Sequence, residues 1–225
     1  MIHFDIITIF PKAFDSYFSE SIIMRAVKRK LVKINILNLR DFTEDKRKKV
    51  DDRPYGGGLG MVIKLEPIYR AIQSLKLNPK NQKSKIILFT PRGRQFNQKI
   101  AYQLSKASRI VMICGRYEGV DERVAKNIAN LELSIGPYDL MGGELPAMIV
   151  LETVARLIPG VLGKPKLLEE RITESGGFVE YPQYTRPEKF FAKKSKQVWK
   201  VPKVLLSGDH KKIGEWRNKK QKAIE

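Results

Sequence analysis

Three short stretches combine glycines with polar side chains in a way that could hold a small ligand. They are residues 90–93 (TPRG), 114–119 (CGRYEG) and 134–143 (SIGPYDLMGG), and each follows an apolar run typical of a strand. In an open parallel sheet, ligands bind beyond the carboxyl ends of the strands, so all three stretches would lie where a ligand binds. Glycines there would let the backbone close around a bent ligand. A set of tight turns is the alternative, because glycine turns after strands are common.

Two common nucleotide-binding motifs are absent from the sequence. No G-x-G-x-x-G pattern follows a predicted strand, and Gly163-Lys164 is followed by proline rather than by the Ser or Thr of a P-loop. The sequence therefore predicts neither a Rossmann dehydrogenase nor a P-loop NTPase. A ligand held by these stretches need not carry a pyrophosphate.

Charged side chains near these stretches have two possible roles. Arg116 and Glu118 could bind a substrate, or they could belong to an ion pair that fixes their loop. Arg156 stands in an apolar helical run, and arginine is rarely buried unless it is paired. It could pair with Glu152, four residues earlier on the same helix, or it could point toward an anionic site.

A glycine-rich segment precedes the three stretches. Residues 51–61 (DDRPYGGGLGM) carry four glycines in five positions. Such a segment could let the backbone approach a ligand closely, or it could be a flexible surface loop.

The charge balance favours a nucleic-acid partner. Lys and Arg number 43 against 24 Asp and Glu, which gives a net charge of +19 and a pI near 10.0. An imbalance of this size is typical of proteins that bind a polyanion. The alternative is a highly charged surface without a specific partner.

Cysteine and histidine usage argues against several kinds of site. Cys114 stands alone, so the chain has no internal disulfide and no Cys/His cluster for zinc. His3 and His210 fall in the first strand and near the C-terminus, which argues against His-based catalysis.

The apolar runs indicate neither a signal peptide nor a membrane span. Asp5 interrupts the first run, and Glu152, Arg156 and Pro159 interrupt residues 149–162. We therefore expect a cytoplasmic protein without a membrane partner.

Strands alternate with helices of about a dozen residues as far as Gly163. This order predicts an α/β fold with a mostly parallel sheet over residues 1–163. The strand KSKIILFT is predicted to end in a turn, and one helix is predicted from Pro11 to about Lys30.

The pattern fails after Gly163. Residues 164–186 are predicted to be a linker, and residues 187–225, with 12 Lys and Arg against 4 Asp and Glu, a small basic helical domain. Among its lysines stand Phe190, Phe191, Trp199 and Trp216. We expect these aromatic residues to form the core of that domain rather than to stack on nucleobases.

Five motifs in order make the sequence resemble one family. DDRPYGGGLGM, CGRYEGVDERV, SIGPYDLMGGELPAM, IPGVLG and YPQYTRP resemble the bacterial tRNA (guanine-N1)-methyltransferases, and the similarity covers nearly the whole chain. The resemblance implies a SPOUT-type domain with a deep trefoil knot, which periodicity cannot reveal because knots are nearly absent from folds.

The resemblance also implies an activity and its partners. The expected reaction moves a methyl group from S-adenosylmethionine to N1 of the guanosine immediately 3′ of the anticodon in tRNA. Residues 1–163 are expected to bind S-adenosylmethionine, and the basic domain of residues 187–225 is expected to bind tRNA phosphates. A homodimer with active sites at the interface is expected, and Mg²⁺ is a possible cofactor by the same resemblance, although no metal-ligating residues are assigned.

Site residues follow from matching the family motifs onto this sequence. Glu118 and Arg156 fall on substrate-handling positions, where Arg156 would oppose negative charge on guanine O6. Pro137 replaces a frequent acidic residue and so removes a backbone donor. The cofactor loops would be formed by Thr90, Pro91, Gly93, Gly115, Arg116, Tyr117, Glu118, Ile135, Gly136, Pro137, Tyr138, Asp139, Leu140, Gly142, Gly143 and Pro146.

A general base must take the proton from guanine N1. The family uses a carboxylate in the linker, and counting from Gly163 puts Arg171 at the usual position. Because arginine cannot act as a base near neutral pH, we assign the role to Glu170, with Glu169 second and Glu174 third.

Two other function classes remain open at this point. A non-catalytic RNA-binding protein that keeps the SPOUT fold would lack a working general base. A DNA-binding regulator would need a groove-reading helix, and no helix-turn-helix pattern is present, so no DNA partner is expected.

Overall fold

The computed structural model describes residues 1–77, 83–163, 172–173, 177–192 and 197–224. The chain divides into two compact units, Met1–Leu168 and Glu169–Glu225. Within the described residues, no helix is long and apolar enough to cross a membrane.

A five-stranded parallel sheet forms the centre of the first unit. Every neighbouring pair of strands in this sheet is parallel, and the order is β2 (Val32–Asn38), β1 (Ile2–Thr8), β6 (Arg109–Ile113), β5 (Ser84–Gln95), β7 (Leu131–Ser134). β-Branched and other apolar side chains fill these strands, which suits a sheet covered on both faces. A separate two-stranded antiparallel ribbon joins β3 (Asp51–Asp52) to β4 (Val62–Ile63).

Helices cover both faces of the sheet and create two apolar cores. One core contains buried residues of α2 (Ser21–Lys28), α4 (Gln98–Leu104) and α6 (Glu144–Ala155). The other contains buried residues of α3 (Leu65–Ser74) and α5 (Glu122–Asn127). The α/β class and the mostly parallel sheet predicted from the sequence are therefore confirmed. The unit also contains the short helix α1 (Asp15–Phe18).

The predicted helix from Pro11 to Lys30 is wrong, because the structure breaks it. A 3₁₀ helix spans Pro11–Phe14, and α1 and α2 follow as separate segments. Ser21 has a φ of 57°, which lies in the left-handed region and cannot continue a right-handed helix.

Strand β5 extends beyond the predicted turn. Phe89 and Arg94 both lie opposite Leu133 of β7, so residues 90–93 make an excursion between two stretches of pairing. A Cβ atom on Gly93 would come within 2.6 Å of the Leu133 backbone, and only glycine allows this crossing. The trefoil knot implied by the resemblance stays a prediction.

The second unit combines helices with short ribbons. Its helices are α7 (Lys203–Leu206) and α8 (His210–Lys220), and Asp209 caps α8 by accepting from the backbone N–H groups of Lys211 and Lys212. Besides the predicted helices, two antiparallel ribbons pair β8 (Phe178–Glu180) with β11 (Lys222–Ile224) and β9 (Lys189–Phe191) with β10 (Val198–Lys200). Strand β8 lies within the range that the sequence assigned to a linker.

The aromatic residues of this unit do not form the expected core. Phe190, Phe191 and Trp199 are 49%, 69% and 60% exposed. Trp216 is half-buried and packs edge-on against Tyr184, with 6.2 Å between ring centroids. The core prediction is therefore wrong for the three residues of the β9–β10 ribbon.

Candidate active site

A cavity of about 1010 Å³ opens at the carboxyl ends of β5, β6 and β7. The three glycine-bearing stretches meet there, as the parallel topology requires. Gly93, Gly136 and Pro137 are not part of its wall. The predicted cofactor residues that line it are Thr90, Pro91, Gly115, Arg116, Tyr117, Glu118, Ile135, Tyr138, Asp139, Leu140, Gly142, Gly143 and Pro146.

Gly136 does not line the cavity, but it packs against Tyr138, which does. A Cβ atom at this position would come within 2.2 Å of the Tyr138 ring. The Tyr138 hydroxyl donates a hydrogen bond to the Ile135 carbonyl at 3.2 Å, which folds the loop back on itself. The absence of a side chain at Gly136 thus lets Tyr138 turn inward over its own loop.

A buried carboxylate, Glu144, ties three parts of the site together. It stands in the first turn of α6 and is 3% exposed. Thr8 at the end of β1 donates to its Oε1 at 2.6 Å, and Arg116 Nε donates to its Oε2 at 2.9 Å. The Arg116 guanidinium also lies over the Phe10 ring, 4.7 Å from the centroid. Pairing of this kind is what makes a buried charge tolerable.

This network decides between the two readings of Arg116. Arg116 belongs to an ion pair that fixes its loop, and its partner is Glu144 rather than Glu118. Arg116 also lines the cavity. The same residue therefore fixes the loop after β6 and forms part of the cavity wall.

Gly142 and Gly143 are required by the same packing. A Cβ atom on Gly142 would lie 2.2 Å from Arg116 Nε, and one on Gly143 would lie 2.6 Å from the Cα of Cys114. Gly143 N–H donates to the Gly115 carbonyl at 3.0 Å, which holds the two loops together. The two glycines therefore serve a close approach of backbone segments.

Cys114 is buried directly beneath these loops. Burial raises the pKa of its thiol well above the usual range, and the neighbouring Glu144 carboxylate raises it further, while Arg116 opposes the shift. A raised pKa lowers the thiolate fraction, and with it the reactivity of this cysteine.

Glu118 is an exposed carboxylate on the cavity wall, and its loop is pinned to the glycine-rich segment. Its backbone N–H donates to the Met61 carbonyl at 3.0 Å, and a Cβ on Gly60 would lie 2.7 Å from its Cγ. Tyr117 adopts a φ of 60°, unusual for a bulky residue, and this bends the loop. The glycine-rich segment itself exposes Tyr55 and Leu59 fully to solvent, at 101% and 94%.

Arg156 lies at the C-terminal cap of α6, exposed and outside the cavity wall. Glu152, one turn earlier, accepts a short hydrogen bond from the Tyr17 hydroxyl. This bond to the carboxylate, with burial, raises the pKa of Tyr17 to about 12.

Glu169, Glu170 and Glu174, the candidates for general base, lie outside the described residues.

Known proteins are similar to this chain over nearly its whole length. The sequence model of the family described as tRNA (Guanine-1)-methyltransferase TrmD matches residues 2–224. The chain belongs to this family.

Individual relatives agree with the family match. A tRNA (guanine-N(1)-)-methyltransferase of Dictyoglomus turgidum is 52% identical over 219 residues, covering 97% of this chain and 84% of the relative. One from Clostridioides difficile is 46% identical over 214 residues, covering 95% and 90%. The crystal structure of a tRNA (m1G37) methyltransferase from Aquifex aeolicus superposes with a TM-score of 0.76 at 40% identity, covering 96% of this chain and 87% of that one.

Sequence reasoning missed Thr8, Phe10 and Glu144 as parts of the site. Glu144 carried a usable signal, because an acidic residue directly after Gly-Gly opens an apolar helix, where the helix dipole favours negative charge. Thr8 and Phe10 carried none, since their contacts span more than a hundred residues of sequence.

The described residues contain no group of three or more His, Cys, Asp and Glu side chains that could hold a metal ion. The Mg²⁺ implied by the resemblance therefore has no cluster of these ligands among the described residues, and the proposed reaction does not use it.

Proposed function

We propose that this chain methylates N1 of the guanosine immediately 3′ of the anticodon in tRNA, with S-adenosylmethionine as the methyl donor. The observation that carries the proposal is the cavity at the carboxyl edge of the sheet, formed by the family's motif loops in a chain that matches the family from residue 2 to residue 224. A non-catalytic RNA-binding protein would not require this cavity.

The cavity fits the donor. Its volume of about 1010 Å³ lies at the upper end of the range for small-molecule sites. The cavity has an apolar wall that suits a purine ring, formed by Leu88, Phe89, Leu133 and Leu140. The glycine-bearing loops contribute backbone groups that can hydrogen-bond the ligand. S-adenosylmethionine supplies an electrophilic methyl group on a sulfonium.

The residues of this chain must manage one proton and one developing charge. Guanine N1 becomes nucleophilic as its proton leaves, so a carboxylate from the segment after Gly163 takes the proton. We assign this role to Glu170 before Glu169 and Glu174. Arg156 opposes the charge that grows on guanine O6, and Glu118 contacts the substrate at the cavity wall.

A homodimer completes the proposed site. Helix α6 buries one face in the sheet, yet Leu145 and Ile149, four residues apart, remain 58% and 41% exposed. Met141, just before the helix, is 87% exposed. We assign this apolar stripe to contact with a second copy of the chain. It begins at Met141 on the cavity wall and runs along α6 in the direction of Arg156 at the end of the helix. Light scattering at micromolar concentration should give twice the monomer mass, and a monomer would contradict the assignment.

The net charge of +19 supports tRNA as the substrate. We propose the cytoplasm as the location, since tRNA is found there. The deciding experiment incubates the protein with methyl-labelled S-adenosylmethionine and tRNA transcripts that carry or lack the guanosine 3′ of the anticodon. We expect label only in the first transcript, at N1. Tight tRNA binding without any label would favour the non-catalytic alternative.

The base is tested by single-turnover methylation with each glutamate changed to glutamine. Glu170→Gln should lose most of the rate at saturating substrates, while Glu169→Gln and Glu174→Gln retain it. Full rate in Glu170→Gln with collapse in one of the others would reassign the base. Full rate in all three would place the base elsewhere.

A further inference from the structure

Four residues form a closed cycle of contacts beside the cavity. Thr8 Oγ1 donates to Glu144 Oε1 at 2.6 Å, and Arg116 Nε donates to Glu144 Oε2 at 2.9 Å. The Arg116 guanidinium lies over the Phe10 ring, 4.7 Å from its centroid. The Phe10 backbone N–H donates to Thr8 Oγ1 at 2.9 Å, which closes the cycle. Each of the four residues is therefore held by two of the others.

Phe10 is the member of this cycle that core packing does not explain. Its ring is 45% exposed, whereas the preceding Ile9 is 4% exposed and packs in the core with α3 and α5. A ring left half in water gains only part of the stabilisation that burial would give. The Arg116 side chain beneath it is 24% exposed, so the contact between the two is largely screened from water. The contact with Arg116 therefore accounts for the ring better than the core does.

Phe10 and Glu144 restrain the Arg116 guanidinium in different ways. The N–H groups of a guanidinium lie in its plane, so Nε can donate to Glu144 along an edge while an aromatic ring covers a face. The quadrupole of the ring attracts the cation, more strongly where water is excluded. The ion pair fixes the position of the guanidinium, and the ring fixes its plane.

Arg116 passes this restraint on to two of the cofactor loops. It forms an antiparallel bridge with Gly142, and Gly143 N–H donates to the Gly115 carbonyl at 3.0 Å. All four residues line the cavity. A Cβ atom on Gly142 would lie 2.2 Å from Arg116 Nε, so the side chain of Arg116 fills the space beside this loop. Rotation of the guanidinium would therefore displace both loops.

We propose that Phe10 is a positioning residue for the cofactor: its ring holds the Arg116 guanidinium in the plane that keeps residues 115–118 and 134–143 arranged around S-adenosylmethionine. Phe10 does not line the cavity, so it acts through Arg116. The inference rests on the proposed function, because it takes S-adenosylmethionine as the ligand of the cavity. It adds the segment after β1 to a site whose sequence motifs all lie later in the chain.

A second copy of the chain is the other candidate partner for the ring. Met141, where the apolar stripe on α6 begins, stands next to Gly142 and hence near Arg116. Contact with a second copy requires apolar surface, which leucine also supplies, but it does not require an aromatic quadrupole. Phe10→Leu therefore separates the two roles, since it keeps an apolar side chain and removes the attraction for the guanidinium.

The first test measures cofactor binding by calorimetry. Phe10→Leu should raise the Kd for S-adenosylmethionine by about three- to tenfold, the factor expected for a partly desolvated cation–π contact. Phe10→Tyr keeps the ring and should bind as wild type does. In methylation assays Phe10→Leu should raise the KM for S-adenosylmethionine and leave kcat at saturating substrates unchanged.

Tyr102→Leu is the matched control for this test. Tyr102 on α4 is 39% exposed, and Lys106 Nζ lies 4.3 Å from its ring centroid. The substitution thus removes a cation–π contact of the same unit that does not reach the cavity wall. The Kd for S-adenosylmethionine should stay at the wild-type value.

Hydrogen exchange of the ligand-free protein gives a second readout. Phe10→Leu should speed exchange of backbone amides in residues 115–118 and 134–143, because local opening of these loops becomes easier. The amides of β1 and β6 should keep their wild-type rates. Faster exchange throughout the unit Met1–Leu168 would show a general loss of stability and would contradict the positioning role.

A double-mutant cycle tests the route through Arg116. Arg116→Lys keeps a positive charge beside Glu144 but lacks the planar guanidinium that stacks on a ring. In this background Phe10→Leu should raise the Kd for S-adenosylmethionine by a smaller factor than it does in wild type, since residues in contact are not additive. Equal factors in the two backgrounds would contradict action through Arg116.

Three further results would overturn the assignment of Phe10 while wild type binds S-adenosylmethionine. One is wild-type affinity in Phe10→Leu. Another is equally weak binding in Phe10→Tyr and Phe10→Leu. The third is a halved mass of Phe10→Leu in light scattering, which would assign the ring to the contact between copies. If wild type does not bind S-adenosylmethionine, the proposed function itself fails.

Discussion

At the scale of residues, the site depends on a single buried ion pair. Glu144 has almost no contact with water, and its two oxygens accept from Thr8 and Arg116. Because the three residues belong to the end of β1, the loop after β6 and the start of α6, the pair sets the positions of two walls of the cavity. Arg92 and Glu122 form an ion pair at a similar distance, 2.8 Å, but in solvent.

The first prediction compares these two pairs. Glu144→Gln should lower the free energy of unfolding by about 2 kcal/mol, the scale of a hydrogen bond to a charged group, and should weaken cofactor binding. Glu122→Gln should change the free energy of unfolding little, because exposed ion pairs are screened by water and salt. Urea unfolding and calorimetry measure both quantities. Equal effects of the two changes would contradict the structural role of Glu144.

The second prediction concerns Gly142. A valine there would collide with the Arg116 side chain, 2.2 Å from the position of the new Cβ, and displace it from Glu144. Gly142→Val should therefore abolish binding of S-adenosylmethionine in calorimetry. Gly163→Val is the control, because a Cβ at Gly163 meets nothing within 4 Å. Unchanged affinity in Gly142→Val would mean that this loop does not hold the cofactor.

At the scale of elements, we propose different tasks for the two units. The cavity lies within the unit Met1–Leu168, while the unit Glu169–Glu225 contributes the basic helix α8 and the ribbons. If the cofactor and tRNA engage different units, as we propose, their affinities should respond separately to truncation.

The third prediction removes residues 187–225. Loss of this segment, whose net charge is +8, should reduce tRNA affinity strongly and flatten its dependence on salt, because fewer counterions are released. Affinity for S-adenosylmethionine should fall far less. Filter binding at several salt concentrations and calorimetry measure the two ligands. Equal losses of both affinities would show that the segment is needed for folding.

At the scale of the whole molecule, Cys114 reports on the integrity of the fold. It is the one cysteine of the chain, and it is fully covered by the loops that cross above it. Its pKa is raised, so the reactive thiolate is rare until the covering segments open.

The fourth prediction uses this thiol. At pH 7.5 a thiol-specific reagent should label no cysteine in the folded protein and one cysteine in denaturant. S-adenosylmethionine should slow any residual labelling, because a bound ligand stabilises the closed state. Rapid labelling of the folded protein, independent of ligand, would mean that the loops over Cys114 are open in solution.

The sequence by itself determined the class of the protein and the parts of its site. Alternation of strands and helices predicted a parallel sheet, and the order of residues 90–93, 114–119 and 134–143 after strands predicted where a ligand binds. The predicted sheet is confirmed and the three stretches meet at one cavity, because period and turn residues are local properties and parallel topology brings all carboxyl ends of strands to one edge. That this cavity binds the ligand stays a prediction.

The tertiary structure alone decided how those parts are held. The partner of Arg116 is Glu144, 28 residues away, and Thr8 reaches the same carboxylate across 136 residues. Gly93 and Gly142 are glycines because other segments approach them closely, and Phe190 and Trp199 are about half exposed rather than buried. A local stretch of sequence cannot predict these contacts or exposures, because they depend on segments that are distant in sequence and meet only in the folded chain.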